Sequence, residues 1–237
     1  MFNSFAIFAC IALLAPLDLP RRSIGEGVEG GGLMFAHHSL YSPETTGTLA
    51  VVNKTGAFFD SGFVLGDYMT LECCFKVPAG TSTTGSVLVG YYSGTGINDN
   101  KDYRLFLAGS SSSPDMYCDA GPTRFSKKYN GGWTVVKYPV SGQVVVDGES
   151  YSPQSNGPYV VSGAFGSGGR TMGIFADTVN GSDQKAAIRY ITVTRYGARE
   201  VLCDLWPDKR GGFYNKVTKN LILPTRGSVE IVDWSTI

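Results

Sequence analysis

The acidic and histidine side chains are the first candidates for catalysis, and their spacing does not suit it. A retaining glycosidase needs two carboxylates about 5 Å apart, which residues two apart on a strand would place on one face. Glu230 and Asp233 are three positions apart, so a strand would direct them to opposite faces. The two histidines, His37 and His38, are adjacent, and no Gly-x-Ser-x-Gly motif supplies a serine nucleophile. The sequence therefore predicts a protein that is not an enzyme.

Two polar loops are weak candidates for calcium binding. Hard cations need several oxygen ligands at close spacing, and the carboxylates of the two loops are Asp99, Asp102, Asp177 and Asp183. Lys101 counts against the first loop, and Asn and Asp also favour turns through local hydrogen bonds. We predict no cofactor and no metal site, with calcium as an alternative that is not favoured.

Five aromatic residues beside predicted loops could bind a sugar by stacking on its ring. They are Tyr91, Tyr92, Tyr103, Tyr129 and Trp133. Tyr129 and Trp133 flank Asn130-Gly131-Gly132, a turn sequence that favours a position at the rim of the fold. Packing in the core or at a protein interface is the alternative interpretation.

The elements that would position these residues are short strands. From Thr48 onward, about fifteen runs rich in β-forming residues alternate with turn clusters, the pattern of a sandwich or barrel. Strict alternation over 187–195 would place Ile188 and Tyr190 on the same face. Asp147-Gly148 predicts a tight hairpin turn. The predicted fold class is all-β, a two-sheet antiparallel sandwich.

Charge and cysteine content exclude several partners and compartments. The chain has 20 basic and 20 acidic residues with no basic stripe, which argues against nucleic acid and against a charged membrane surface. Five cysteines without regular spacing make a poor disulfide framework. We predict buried free thiols, with Cys73 and Cys74 on opposite faces of one strand. This usage indicates assembly in a reducing compartment.

The N-terminal residues 2–17 form a strongly apolar run. Pro16, Asp18 and Pro20 interrupt it before it is long enough to span a membrane as a helix. A signal peptide would be expected to have a Lys or Arg before its apolar part, and none precedes this run. We predict an uncleaved arm over residues 1–24, a glycine-rich hinge and lead-in over 25–47, and a folded body over 48–237. The apolar residues of the arm are Phe2, Phe5, Ile7, Phe8, Ile11, Leu13 and Leu14. The alternative is an export signal.

Three segments, taken in their order, carry a resemblance to a known family. They are 57–77 (AFFDSGFVLGDYMTLECCFKV), 143–151 (QVVVDGESY) and 187–223, whose end contains Gly-Gly and an aromatic-Asn-x-Val-Thr turn. The segments resemble the concanavalin A-like, laminin-G-like jelly-roll domains of gut bacteria and their phages. In the last segment, Trp206 is expected to fill the core and Pro207 to end a strand.

The resemblance implies a lectin-like jelly roll that binds a glycan or a protein without catalysis. With the apolar arm, it predicts a structural or adhesion protein of a bacteriophage particle: a capsid decoration, head-fibre or tail-associated subunit. Such a protein would assemble in the bacterial cytoplasm and contact other virion subunits or copies of itself through the arm. A cell-surface glycan or receptor would be a further partner. The alternative is a secreted bacterial carbohydrate-binding module.

Overall fold

The structure of the chain is a computed structural model. It describes residues 47–65, 69–78, 86–91, 103–110, 113–120, 123–139, 143–152, 154–155, 171–175, 186–195 and 200–237. The strands in this part are β1 (Leu49–Asn53), β2 (Phe59–Asp60), β3 (Met69–Lys76), β4 (Ser86–Tyr91), β5 (Tyr103–Ser110), β6 (Ser113–Ala120), β7 (Thr123–Lys128), β8 (Thr134–Pro139), β9 (Val144–Val146), β10 (Glu149–Tyr151), β11 (Gln154–Ser155), β12 (Gly173–Ile174), β13 (Ala187–Arg195), β14 (Val201–Asp208), β15 (Gly212–Asn215), β16 (Asn220–Ile222) and β17 (Val229–Asp233). A short 3-10 helix, Trp234–Thr236, follows β17.

The strands form two antiparallel sheets. The ten-stranded sheet has the order β10-β9-β8-β3-β13-β14-β15-β16, and β1 joins it by pairing with both β13 and β17. The seven-stranded sheet has the order β11-β7-β6-β5-β4-β12-β2. Both sheets contribute to one buried cluster of apolar side chains. The all-β, two-sheet antiparallel fold predicted from the sequence is therefore confirmed, and its layering is compatible with a jelly roll.

Strand β3 shows how alternation of side chains builds this core. Leu71, Cys73 and Phe75 belong to the buried cluster between the sheets, whereas Glu72 and Cys74 lie outside it. Successive side chains of a strand point to opposite faces, which explains this division. The four cysteines of the described chain are buried free thiols, as predicted; they are Cys73, Cys74, Cys118 and Cys203.

The predicted turn at Asp147-Gly148 joins β9 to β10. Both residues have positive φ, 51° for Asp147 and 88° for Gly148. This backbone matches the right-handed twist of a two-residue hairpin and is tolerated by Asp and Gly. The Asp147 carboxylate also accepts a hydrogen bond from the backbone N–H of Val135 at 2.8 Å, which ties the turn to β8.

Strand β13 departs from the strict alternation that its sequence suggests. A β-bulge lies between Ile188 and Tyr190, opposite β3. Ile188 consequently lies in the core together with Ile191, while Tyr190 is only partly buried. The extra residue resets the period of the strand, so the prediction that Ile188 and Tyr190 share a face is wrong.

Strand β14 differs from its prediction at Trp206 and Pro207. The strand continues through Pro207 to Asp208, because its pairing with β13 ends at Leu205 and Pro207 need not donate to that neighbour. Trp206 lies outside the core cluster and stacks on Tyr190, with ring centroids 5.3 Å apart. The indole therefore covers the outer face of the sheet rather than filling the core.

Candidate ligand-binding cleft at two sheet edges

The predicted sugar-binding residue Tyr103 lies between the sheets. It is 1% exposed, its hydroxyl donates to the Tyr138 carbonyl at 2.8 Å, and it accepts from the Leu71 N–H at 3.2 Å. Burial raises the pKa of this phenol. A ligand cannot reach a ring in this position, so the structure corrects the prediction and assigns Tyr103 to the core.

Tyr129 is also a core residue, although a turn follows it. It is 7% exposed and its ring stacks on Phe75 at 5.5 Å. Its hydroxyl accepts from the Val77 N–H at 2.8 Å and donates to the Gly132 carbonyl at 2.7 Å. Burial raises the pKa of Tyr129 to about 12. The phenol thus organises the predicted turn from inside, which corrects its assignment to the rim.

Trp133 occupies a partly buried position in an aromatic cluster. Its ring meets Trp234 edge-on, with centroids 6.2 Å apart. The Arg189 guanidinium lies 4.2 Å from the Trp234 centroid and 5.9 Å from that of Trp133. Cation–π contacts of this kind stabilise a packed surface. The indole is therefore held within the protein rather than presented as an open stacking platform.

The other predicted residues fall largely outside the described chain. Tyr91 ends β4, where its backbone pairs with Tyr103. The residues outside the described ranges are Tyr92, the calcium candidates Asp99, Asp102, Asp177 and Asp183, and the arm residues Phe2, Phe5, Ile7, Phe8, Ile11, Leu13 and Leu14. In the described part, no group of three or more His, Cys, Asp or Glu side chains could hold a metal ion. Among the same described residues, no helix is long and apolar enough to cross a membrane.

A cleft lies where the edges of the two sheets meet. Strand β2 ends the seven-stranded order and β16 ends the ten-stranded order. Their neighbourhoods are joined in the core by Phe59 and Phe213, whose rings meet edge-to-face at 5.2 Å. Beyond β16, the backbone of Thr225 and Arg226 bonds to Phe58, which ties the two edges together. The cleft is therefore a feature of tertiary structure, since neither edge strand forms it alone.

The cleft has a volume of about 530 Å³ and a mixed lining. Its lining residues are Asp60, Ser61, Gly62, Phe63, Asn215, Thr218, Asn220, Leu221, Ile222 and Leu223. The cleft is therefore lined by hydroxyl, amide and carboxylate groups together with aliphatic and aromatic side chains. Sites that bind ligands combine apolar walls with a few polar groups in this way, in volumes of roughly 300–1,000 Å³.

Asn215 builds one wall of the cleft. This residue is 3% exposed, and its side-chain oxygen accepts from the N–H groups of Val217 at 3.0 Å and Thr218 at 3.4 Å. Its amide nitrogen donates to the Cys203 sulfur at 3.6 Å. Lys219 closes the turn with φ of 62° and a backbone bond to the Asn215 carbonyl. Asn favours such turns because its side chain substitutes for a backbone acceptor.

The opposite wall is a second turn stabilised by side chains. The Asp60 carboxylate accepts from the Gly62 N–H at 3.0 Å, and the Ser61 hydroxyl accepts from the Phe63 N–H at 3.1 Å. Asp60 is exposed. It is the carboxylate among the described lining residues, and it remains accessible to a ligand as a hydrogen-bond acceptor.

One exposed apolar side chain lines the cleft, and two more are next in sequence to its lining residues. Five large hydrophobic residues are exposed in the described chain. Leu223, which is 51% exposed, lines the cleft, while Val217 and Val64 are next in sequence to the lining residues Thr218 and Phe63. Leu223 therefore offers an exposed apolar surface to a ligand in the cleft.

Sequence reasoning identified the turn at Asn215 but not the cleft. The aromatic-Asn-x-Val-Thr pattern indicates a turn, but only the tertiary structure brings this turn and Asp60 to the same cleft. An exposed aliphatic residue such as Leu223 gives no motif, because Val and Leu in strand sequences normally predict burial.

Comparison with known proteins adds no family to this description. No protein-family model matches the chain, and no curated protein sequence is similar to it. The class that the structure defines is an antiparallel two-sheet β-sandwich with a cleft between its edge strands.

Proposed function

We propose that the chain is a non-catalytic structural or adhesion protein of a bacteriophage particle, with a lectin-like jelly-roll body that binds a glycan or a protein. The observation that carries the proposal is the edge cleft with its mixed polar and apolar lining. The sequence resemblance to concanavalin A-like, laminin-G-like domains supports the jelly roll. The apolar N-terminal run supports assembly with other subunits.

The chemistry of the cleft suits binding. Asp60 offers an acceptor, Thr218 and Asn220 offer hydroxyl and amide groups, and Leu223 offers an apolar surface. Retaining and inverting glycoside hydrolysis both require a pair of carboxyl groups, and the described lining supplies one. The proposal therefore assigns recognition to these side chains and no bond-breaking step.

Binding through the cleft is tested with an Asp60→Asn, Asn220→Ala double variant of the full chain. We expect about tenfold weaker binding to glycan arrays or to host cells, because the Asp60 side chain loses its charge and one acceptor oxygen and the Asn220 amide is removed. Ser150→Ala is the matched control, since this exposed serine lies in β10, at the opposite end of the ten-stranded sheet. Equal binding by wild type and double variant would remove the cleft from the proposal.

A secreted carbohydrate-binding module is the second candidate, favoured by the apolar run near the N-terminus. Mass spectrometry of the natural protein separates the two candidates. Purified particles that contain the chain with residues 1–20 retained support the virion protein. A secreted chain that begins near residue 20 supports the module and contradicts the virion protein.

A further inference from the structure

The polar groups that line the cleft differ in whether they are already hydrogen-bonded. Asn215 and Ser61 are buried, and their side-chain oxygen atoms accept backbone N–H groups of the two turns. Thr218 and Asn220 are exposed, and neither side chain bonds to another described residue. A hydroxyl and a carboxamide can both donate and accept hydrogen bonds. The cleft therefore presents two neutral side chains that can bond to a ligand in either direction.

Asp60 supplies the charge of the cleft. It is the one ionisable side chain among the described lining residues, and it is exposed. Its carboxylate accepts the Gly62 N–H, and the salt bridges of the described residues pair other carboxylates. Lys219 lies between Thr218 and Asn220 in sequence but is not one of the described lining residues. A carboxylate that no described cation neutralises attracts hydrogen-bond donors and repels anionic groups.

Apolar side chains share the cleft with these polar groups. Phe63 is a partly buried lining residue, and Leu223 is an exposed one. A pyranose ring combines hydroxyl groups around its edge with C–H groups on its faces, and ligand sites match such a surface with apolar walls and a few polar groups. The lining therefore suits a hydroxyl-rich ligand that brings no negative charge.

We propose that the edge cleft binds a neutral sugar residue and excludes acidic sugars, and that Asp60 sets this selectivity. The inference rests on the proposed function and names the ligand class of the same cleft. The Asp60 carboxylate accepts hydrogen bonds from sugar hydroxyl groups, and bonds to a charged acceptor are stronger than bonds between neutral groups. Toward the carboxylate of an acidic sugar the same side chain is repulsive, and a repulsive element of this kind creates specificity.

Matched pairs of sugars test the selectivity of the cleft in the full-length chain. The methyl glycosides of glucose, galactose and mannose are each compared with the corresponding uronic acid glycoside, in which a carboxylate replaces the hydroxymethyl group. Calorimetric titration or ligand-observed NMR gives both dissociation constants. In any pair that binds, we expect the neutral member to bind at least about tenfold more tightly. Salt at about 1 M should reduce this preference, because the Debye length falls to about 3 Å.

Removal of the Asp60 charge should remove the preference. Asp60→Asn keeps a side-chain acceptor for the Gly62 N–H, so the turn is retained, and the preference should fall below about threefold. Glu149→Gln is the matched control, because it removes an exposed carboxylate in β10, at the opposite end of the ten-stranded sheet. This control should keep the full preference. Asn220→Asp adds a second carboxylate at an exposed position in the cleft and should enlarge the preference.

Three results would overturn the inference. They are equal or tighter binding of the acidic member of a pair, a preference that Asp60→Asn leaves unchanged, and no binding of any sugar in the panel. Each differs from a failure of the proposed function. Tight binding of an acidic sugar by a chain found in purified particles would retain the virion protein and contradict the selectivity. Neutral-sugar binding that depends on Asp60, in a chain absent from particles, would retain the selectivity and contradict the virion protein.

Discussion

The layer between the sheets and the edge cleft contain similar residue types and use them differently. In the layer, the Tyr103 hydroxyl bonds to backbone groups of β3 and β8, so its polar atom is satisfied inside the protein. In the cleft, Asp60 and Thr218 are exposed beside Leu223, which is 51% exposed. The difference teaches that burial and existing partners determine whether a side chain can bind a ligand. Residue type alone does not determine this.

The largest effect on stability is expected at the turn 130–132, which has the buried Tyr129 at one end and the partly buried Trp133 at the other. Tyr129→Ala should lower the free energy of unfolding by about 3–5 kcal/mol, because it removes a buried aromatic from the layer. Trp133→Ala should cost about 1–2 kcal/mol, since it loses an edge-on contact with Trp234 and a cation–π contact. Urea denaturation of both variants measures the difference. Equal costs would place both aromatics in the same region.

An intermediate effect on stability is expected between the sheets, where two stacked tyrosines differ in whether their hydroxyl group is hydrogen-bonded. The rings of Tyr103 and Tyr138 lie 4.7 Å apart, and both residues are 1% exposed. Tyr103→Phe should lower the free energy of unfolding by about 1–3 kcal/mol, because the Leu71 N–H loses its acceptor. The Tyr138 hydroxyl has no hydrogen-bond partner among the described residues. Tyr138→Phe should therefore be neutral or stabilising in the same denaturation experiment, and a reversed order would contradict the assigned bonds.

The smallest effect on stability is expected at two exposed aliphatic residues, one that lines the cleft and one next in sequence to a lining residue. A Leu223→Ser, Val217→Ser double variant should change the free energy of unfolding by less than about 0.5 kcal/mol per site, as exposed substitutions usually do. Thermal melts of wild type and variant give this comparison. A large loss of stability would show that these side chains support the fold and are not a binding surface.

Much of the fold follows from local patterns in the sequence. The strands from residue 48 onward, the hairpin at Asp147-Gly148 and the four buried thiols agree with the structure. The strands and the hairpin depend on a period of two or on one dipeptide, and these signals act over a few residues. The free thiols follow from the irregular spacing of the cysteines and from the tendency of free cysteine to be buried. The bulge in β13 cannot be predicted from such local signals, because its position depends on the register against β3. One extra residue there moved Ile188 into the core.

The aromatic residues show the limit of sequence patterns at the candidate site. Tyr129 and Trp133 flank the same turn, yet one packs between the sheets and the other packs on Trp234. Trp206, expected in the core, stacks on Tyr190 outside it, and the Lys216 ammonium lies 3.9 Å from its ring centroid. A hydrophobic ring gains free energy by burial against either face of a sheet. Its strand pattern alone cannot select the face.

The sequence by itself determined the fold class and the predicted turns, because alternation and turn chemistry are local properties of the chain. Only the tertiary structure decided which strands became edges, and with them the site. Asp60 and Asn215 are 155 positions apart, and each belongs to a turn that the sequence could indicate. They face one cleft because β2 ends one sheet, β15 and β16 end the other, and the two ends meet. Strand order depends on pairing between distant segments, which no local pattern records.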